Sequence, residues 1–213
     1  MRDDTRMARQ QQIEQAAYAV LETKGYAGAS MLAIARQAKA SNETLYNWYG
    51  DKNGLFAALV VRNAAEVQDL LQQGLQSGRP GLEILRVLGP RLLALLTGPR
   101  AVQLNRAAAA DPTGELGKVI SGRGRETVAP LIGEVLRRAK QDGDLDFGTV
   151  EEAVGLYLDL LVGDLQIRRA IGGAPPDEDA ISRRADLALD RLLRLNPAST
   201  QPTPTCHEKD DKG

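Results

Sequence analysis

The sequence predicts an all-α protein in which a three-helix helix-turn-helix unit precedes a larger helical bundle that dimerises. Apolar residues recur at helical spacing along most of the chain, and no segment of useful length alternates with the period of two that marks a strand. Six of the eight aromatic residues lie within the first 56 positions, which indicates a small unit with a bulky core followed by a leucine- and alanine-rich bundle. We therefore expect domains over 1–51 and 52–195.

The first predicted helix carries one buried stripe, because five apolar residues recur at i, i+3, i+4, i+7 and i+8. These residues are Ile13, Ala16, Ala17, Val20 and Leu21. Gly25 follows Lys24, at a position where a helix commonly ends in a left-handed residue.

The next stretch, 30–56, has the signals of two short helices joined by a tight turn, with a third helix behind them. Ser30, Ser41 and Asp51 are each placed to cap a helix, because their side-chain oxygens can accept from backbone amides two or three residues later. The second short helix turns its apolar residues inward and its small polar residues outward. This pattern is typical of a helix-turn-helix that inserts its second helix into the major groove of DNA.

The remainder of the chain is predicted to be helical up to a polar tail. A long helix is expected from Lys52 to about Gln76, followed by helices near 81–97, 100–109, 113–141, 148–171 and 178–195. Four glycines in the first half of 113–141, at positions 114, 117, 122 and 124, predict a break or a loosening there. The segment 196–213 is polar and rich in proline, so we expect it to be a disordered tail.

Composition excludes several classes of protein. An apolar content of 43% suffices for a packed core, and no apolar run approaches the length that crosses a membrane or forms a signal region. The lone cysteine, Cys206, excludes an internal disulfide and a cysteine-based zinc site, and a reducing cytoplasm fits. His207 beside it has no second histidine to complete a metal or nucleophilic site, so we expect no metal, no cofactor and no catalytic residue.

Net charge is the unexpected feature for a protein that binds DNA. The chain carries a formal charge of −1, and residues 1–56 hold seven Lys or Arg against six Asp or Glu. Cations are therefore expected at particular places, with Arg6 and Arg9 before the first helix and Lys52 at the start of the long one. So few phosphate contacts predict a shallow salt dependence for one subunit, which favours a dimer.

One set of residues agrees in type and spacing with a known family over about fifty positions of the sequence. It comprises Ile13, Ala16, Ala17, Gly25, Tyr26, Ser30, Ile34, Ala35, Ala38, Ser41, Thr44, Leu45, Tyr46, Tyr49, Lys52, Leu55 and Phe56. This set resembles the amino-terminal domain of TetR-family transcriptional regulators. The helical remainder is similar, in general character, to the carboxy-terminal half of AefR-type members of that family.

Two departures from the family pattern affect the turn and the core. The family usually has glycine and a branched residue in the turn, where this chain has Lys39 and Ala40. A lysine in a left-handed conformation is strained by about 1 kcal/mol relative to glycine, yet it brings a cation beside the DNA. Tyr49 replaces the usual phenylalanine, and its hydroxyl needs a partner if it is buried.

The outward residues of the second short helix are the candidates for base contacts, although an ordinary helix with a solvated side would show the same pattern. Asn42 and Asn47 can pair with adenine, and Glu43 can accept from the amino group of cytosine. The resemblance implies contacts to phosphates, which fix register rather than sequence. The residues expected to make them are Ser30, Lys39, Ser41, Thr44, Tyr46, Trp48 and Lys52.

The last two predicted helices have more apolar surface than one buried face requires. We expect them to form a four-helix interface with a second copy of the chain, although both could instead be central in one chain. A second stripe that includes Leu156 and Leu160 leaves open which face is used. The candidate interface residues are Leu158, Leu161, Ile181, Ala185, Ala188 and Leu192.

A ligand site is predicted among the middle helices, with an aliphatic lining drawn from residues 82–106, 116–136 and 154–168. Such a lining suits an apolar or amphipathic molecule better than a planar aromatic one. An ion pair within one helix, between Asp164 and Arg168, is the alternative to a ligand role for this aspartate. The candidate polar contacts are Gln103, Asn105, Tyr157 and Asp164.

The resemblance thus implies a repressor that binds a palindromic double-stranded DNA operator as a homodimer and is released by a small effector. A regulator without a ligand, controlled by a protein partner or by its abundance, stays open as an alternative. An enzyme built on the helical bundle is a remote alternative, because the sequence offers no acid–base pair, metal set or cofactor loop.

Overall fold

The computed structural model describes residues 2–198, with side chains from residue 6 onward. This part of the chain contains eleven α-helices, one π-helical segment and no strand, so the all-α prediction is confirmed for it. The predicted tail beyond Ala198 lies outside the described residues. The α-helices are α1 (Arg2–Gly28), α2 (Met31–Gln37), α3 (Asn42–Tyr49), α4 (Lys52–Gln76), α5 (Gly81–Thr97), α6 (Pro99–Ala109), α7 (Glu115–Ile120), α8 (Glu126–Gln141), α9 (Val150–Val162), α10 (Leu165–Ala170) and α11 (Glu178–Leu195).

Three predicted caps set the geometry of the helix-turn-helix. The Ser30 hydroxyl accepts from the amide of Ala33, and the Ser41 hydroxyl accepts from the amide of Thr44 at 3.0 Å. The Asp51 carboxylate accepts from the amide of Gly54 at 2.7 Å. Each bond satisfies one of the free amides at a helix start, which fixes where α2, α3 and α4 begin.

Two predicted helices are divided in the structure. The 113–141 segment forms α7 and α8, joined by the π-helical residues Ser121–Arg125. The 148–171 segment ends α9 at Gly163, whose φ of +52° places it in a conformation that favours glycine, and resumes as α10. A side chain at Gly163 would also displace the Arg184 guanidinium, which lies 2.6 Å from an added Cβ.

The two cores of the molecule share helices. The amino-terminal core joins α1, α2 and α3 to the first half of α4, and it also takes in Leu104 of α6 and Leu116 of α7. The second core joins the rest of α4 to α5, α8, α9 and α11. Helix α4 therefore lies in both cores, and the boundary proposed after residue 51 crosses a continuous packing arrangement.

The structure buries four of the residues expected at the dimer interface within a single chain. Leu161, Ala185, Ala188 and Leu192 all belong to the second core. The burial of these side chains needs no second copy, which is the alternative that the sequence left open. Half-buried apolar residues that pack against the same core include Leu156, Leu160 and Leu193. Within residues 2–198, no helix is long and apolar enough to cross a membrane.

Candidate nucleic-acid interface and effector cavity

Helix α3 exposes the three residues predicted to contact bases. Asn42, Glu43 and Asn47 are exposed, whereas Leu45 is fully buried on the opposite side and fixes the orientation of the helix. The exposed amides carry both a donor and an acceptor, which is the requirement for bidentate pairing with a base edge. The side chains predicted to read bases therefore form one polar surface.

The residues predicted to contact phosphates surround this surface, but several are already engaged. The Ser41 and Thr44 hydroxyls lie 2.7 Å apart, and Ser41 also caps α3. Tyr46 is 50% exposed and Lys39 is exposed, so both are open to a phosphate. Trp48 is half-buried, with the Arg6 guanidinium 5.7 Å from its ring centroid.

Lys52 is held inside the amino-terminal unit. Its ammonium donates to the Tyr26 carbonyl at 3.2 Å and lies 3.9 Å from the centroid of the Tyr26 ring. The Tyr26 hydroxyl is in turn hydrogen-bonded to the Asn53 side chain. Lys52 therefore links α1 to the first turn of α4, so a phosphate contact from it would share or replace these interactions.

The turn between α2 and α3 has the strained lysine that the sequence predicts. Lys39 has a φ of +50°, and it is the only residue other than glycine with positive φ among those described. The Ala40 amide donates to the Ala35 carbonyl at 2.9 Å and the Lys39 amide to the Arg36 carbonyl at 3.2 Å, which together form a Schellman motif.

Arg9 of α1 binds the carbonyls that this motif leaves free. Its guanidinium donates to the Ala38 carbonyl at 3.3 Å and to the Lys39 carbonyl at 2.5 Å. Both Arg6 and Arg9 lie within α1, which begins at Arg2, and not before it as the sequence suggested. Arg9 stands four residues before Ile13, in line with the buried stripe, and this spacing was the signal that could have identified it.

A second charged contact joins α1 to α4. Glu14 is only 5% exposed, and its Oε1 lies 2.9 Å from Arg62 Nε, although this oxygen accepts no hydrogen bond from a described residue. Burial raises the pKa of Glu14 above its usual value, against the opposing attraction of Arg62 and Arg100. The Tyr49 hydroxyl, which needed a partner, is buried without one among the described residues.

The larger helical part has a partly open cavity of about 440 Å³, which is lined by residues of α4 to α10 and of the π-helical segment. Its walls are mainly aliphatic, and no aromatic residue is among those that line it. The three predicted segments all contribute, and α4 adds a wall that the sequence did not predict. Residues of the lining include Val60, Asn63, Ala64, Leu92, Leu95, Leu96, Leu104, Asn105, Ser121, Arg125, Val128, Ile132, Leu158, Asp159, Val162 and Gln166.

Of the four predicted polar contacts, the lining contains Asn105 and not the other three. The Gln103 amide donates to Glu22 on the surface at 3.2 Å. Asp164 makes the alternative ion pair with Arg168, at 2.6 Å within one helix turn. Tyr157 is buried in the second core, where its ring completes the packing between helices. The neighbours of Gln103 and Tyr157 lie far away in the sequence, whereas the Asp164–Arg168 pair is the alternative that the sequence offered.

Helix α4, which follows α3 in the chain, forms part of the cavity wall. Val60 of α4 lines the cavity and also belongs to the amino-terminal core. Gly124 of the π-helical segment lies so close that an added Cβ would be 3.3 Å from Val60 Cγ1. A change in the volume of the cavity would therefore press on α4 at a residue that packs against the helix-turn-helix.

Solved structures of several other proteins are similar to this fold over most of the chain. A TetR-family regulator from Mesorhizobium loti MAFF303099 is 26% identical, with a TM-score of 0.71 over 89% of this chain and 97% of its own. The flavonoid-responsive regulator FrrA is 25% identical, with a TM-score of 0.64 over 89% of this chain and 97% of its own. FadR from Bacillus subtilis, in complex with stearoyl-CoA, is 16% identical, with a TM-score of 0.67 over 85% and 96% of the two chains, and shows the fold alone.

Two family models match the sequence, and together they span both parts of the fold. The model of bacterial regulatory proteins of the tetR family matches residues 13–59, which hold the helix-turn-helix. The model of the AefR-like transcriptional repressor carboxy-terminal domain matches residues 83–195, which is more than half of the chain. No curated protein matches the sequence. The chain belongs to the TetR family of transcriptional regulators, with a carboxy-terminal domain of the AefR-like type.

Proposed function

We propose that this protein is a homodimeric repressor that binds a palindromic operator through α3 and releases it when a small apolar or amphipathic effector fills the cavity. The observation that carries the proposal is Val60, which lines the cavity and packs in the core of the helix-turn-helix. Because α4 directly follows the recognition helix, a shift of α4 would change the distance between the two recognition helices of a dimer. A protein that acts on DNA in this way would work in the cytoplasm.

The aliphatic lining favours a flexible apolar ligand. The related proteins differ in their ligands, since one is described as flavonoid-responsive and another was solved with stearoyl-CoA. A planar flavonoid is commonly held by stacked aromatic rings, and no aromatic residue lines this cavity. The lining is closer to what an alkyl chain requires, because aliphatic side chains contact such a chain along its whole length.

The proposed dimer uses α9 and α11 with a different face from the one first expected. Leu156, Leu160 and Leu193 are half-buried, so part of each side chain is left for a partner. Leu158 lines the cavity, and Ile181 is half-buried beside the second core. An isologous interface would bring the two copies of α9 and α11 together as four helices, with one recognition helix on each side.

Selection of bound fragments from random DNA by the purified protein tests the proposal. Enrichment of an inverted repeat is expected, with half-sites about 10 base pairs or a multiple apart. Fluorescence anisotropy with the selected operator then measures release by candidate effectors. A protein that enriches no sequence would contradict the assignment of α3, whereas one that binds an operator but no small molecule would favour control by a partner or by abundance.

A further inference from the structure

We propose that the effector carries an acidic head group and an alkyl tail, with the head held where α4, α6 and the π-helical segment meet. This inference rests on the proposed function, because it assigns the chemistry of the molecule that fills the same cavity. It goes further in placing one charge at one end of the cavity. The polar residues of the lining carry this assignment, because they are unevenly distributed along it.

Hydrogen-bond donors gather at the end of the cavity nearest the helix-turn-helix. Asn63 of α4 and Asn105 of α6 are half-buried and line the cavity, and neither side chain bonds to another described residue. Neither amide is among the fully buried groups that lack a partner, so both can bond to a molecule that occupies the cavity. Each amide offers donors to a ligand group that accepts hydrogen bonds.

Arg125 supplies the charge at this end. It is the one cation among the lining residues, and it makes no ion pair with any other described residue. Ser121 lines the same wall four residues earlier, but its hydroxyl donates to Glu126 Oε1 at 3.4 Å, so Arg125 is the donor of this segment that remains for a ligand. A guanidinium can hold both oxygens of a carboxylate, which makes a carboxylate a better match than a neutral hydroxyl. Insertion of a π-helical turn is frequently associated with ligand sites.

The opposite end does not present a comparable site for a cationic head. Asp159 lies there, but the Arg184 guanidinium occupies the space beside the neighbouring Gly163 and donates to the Leu161 carbonyl at 3.0 Å. A cation is therefore already close to this end. The Gln166 amide is also engaged, since it donates to the Leu96 carbonyl at 3.3 Å. Asp159 itself is exposed to solvent, and the amide donor at this end is used within the chain.

The space between the two ends suits the tail. Leu92, Leu95 and Leu96 of α5 face Val128 and Ile132 of α8 across the cavity, and Leu158 and Val162 of α9 complete the apolar wall. Each methylene of a tail buried here would raise the affinity, because it removes apolar surface from water. A flexible alkyl tail with an acid at one end therefore satisfies the walls and the unpaired donors together.

Isothermal titration of the full-length protein with decanoate, decanol and decyltrimethylammonium tests the head group at constant tail length. Decanoate is expected to bind at least about tenfold more tightly than decanol, the effect of a charge-assisted hydrogen bond. Arg125→Met is expected to bring decanoate to the affinity of decanol and to leave decanol unchanged. Arg123→Met is the matched control, because Arg123 lies on the same segment but not in the lining, and it is expected to change neither affinity.

The possible results separate this inference from the proposed function. Equal affinity for decanoate and decanol would overturn the acidic head and leave the effector cavity standing, and so would tighter binding of the ammonium compound. Failure of all three compounds to bind would overturn the acidic head and count against an effector in this cavity. If Arg125→Met does not fold, Asn105→Leu replaces it, and the inference fails if that variant weakens decanoate no more than decanol.

Discussion

Arg62 Nε of α4 lies 2.9 Å from Glu14 Oε1 of α1, at a carboxylate that is almost fully buried. The Arg62 guanidinium also donates to Gln10 at 3.2 Å, so one side chain of α4 contacts two residues of α1. These two contacts join α4 to α1, so we expect a movement of α4 to be passed to the first helix of the amino-terminal unit. Because the carboxylate is buried, the contact is also sensitive to protonation.

Replacing Glu14 with Gln is expected to change how stability depends on pH. Burial raises the pKa of Glu14 above its ordinary value of 4.5, so the folded protein holds this proton more tightly than the unfolded chain does. The stability that the protonated group contributes is complete below the unfolded-state pKa and is lost as pH rises through the folded-state pKa. The amide of the variant does not titrate, so the variant avoids this loss.

Thermal unfolding of both proteins between pH 4 and about 7.5 measures the difference. The Tm of Glu14→Gln relative to that of the unsubstituted protein is expected to rise as pH increases above 4.5. A difference that stays constant across the range would show that Glu14 has the same pKa in the folded and unfolded states. A difference that falls would show that Arg62 and Arg100 outweigh burial.

Arg9 is expected to position the recognition helix through the turn that it binds. Arg9→Met removes two charge-assisted hydrogen bonds to the carbonyls of Ala38 and Lys39, so operator affinity is expected to fall by about tenfold. Lys39→Gly relieves about 1 kcal/mol of backbone strain at the positive φ. The loss caused by Arg9→Met is therefore expected to be smaller in the Lys39→Gly background.

A double-mutant cycle measured by anisotropy gives this coupling directly. Arg86→Met, on the exposed side of α5, controls for the loss of one positive charge. The positioning role would be refuted if the effects of Arg9→Met and Lys39→Gly were strictly additive. Equal losses of affinity from Arg9→Met and Arg86→Met would show a general effect of charge.

Base contacts and phosphate contacts are expected to respond differently to substitution. Asn47→Ala or Asn42→Ala is expected to relax preference at particular base pairs by roughly 1–3 kcal/mol. Lys52→Ala is expected to weaken binding to all sequences and to flatten the salt dependence by about one counterion per subunit. Titrations of operator and scrambled DNA at several salt concentrations distinguish the two, and unchanged binding by all three variants would refute the role of α3.

Two substitutions test the dimer, one at the proposed interface and one in the second core. Leu160→Asp is expected to give folded monomers, because the half-buried side chain lies on the proposed interface. Leu192→Asp is expected to unfold the chain, because it places a carboxylate in the second core at a cost of several kcal/mol. Light scattering and circular dichroism measure both outcomes. A mass near 23.0 kDa for the unsubstituted protein at micromolar concentration would contradict the dimer.

Local chemistry made much of the fold predictable. The caps Ser30, Ser41 and Asp51 act on amides within their own first turns, so the sequence contains both partners of each bond. The bounds of α4, Lys52–Gln76, were predicted for the same reason, since a cap precedes the helix and glycines follow it. The residues that resemble the TetR family lie between Ile13 and Phe56, where their types and spacing can be read from the sequence.

Features that depend on distant partners were not predictable in the same way. The carbonyl of Leu161 at the end of α9 accepts from Arg184, which lies 23 positions later in the chain. The role of Arg9 depends on carbonyls of Ala38 and Lys39, which the fold brings to it. Helix α4 contributes to the cavity because of how it packs against the other helices. The apolar pattern of α4 by itself does not determine that packing.

The most direct test of ligand-controlled DNA binding is the anisotropy of labelled operator with and without a compound that calorimetry shows to bind the cavity. Occupancy is expected to raise the operator Kd by at least about tenfold, because only a difference in affinity between the DNA-bound and released forms can shift the equilibrium. An operator Kd that stays the same while the cavity is saturated would contradict control of this regulator by a ligand in the cavity.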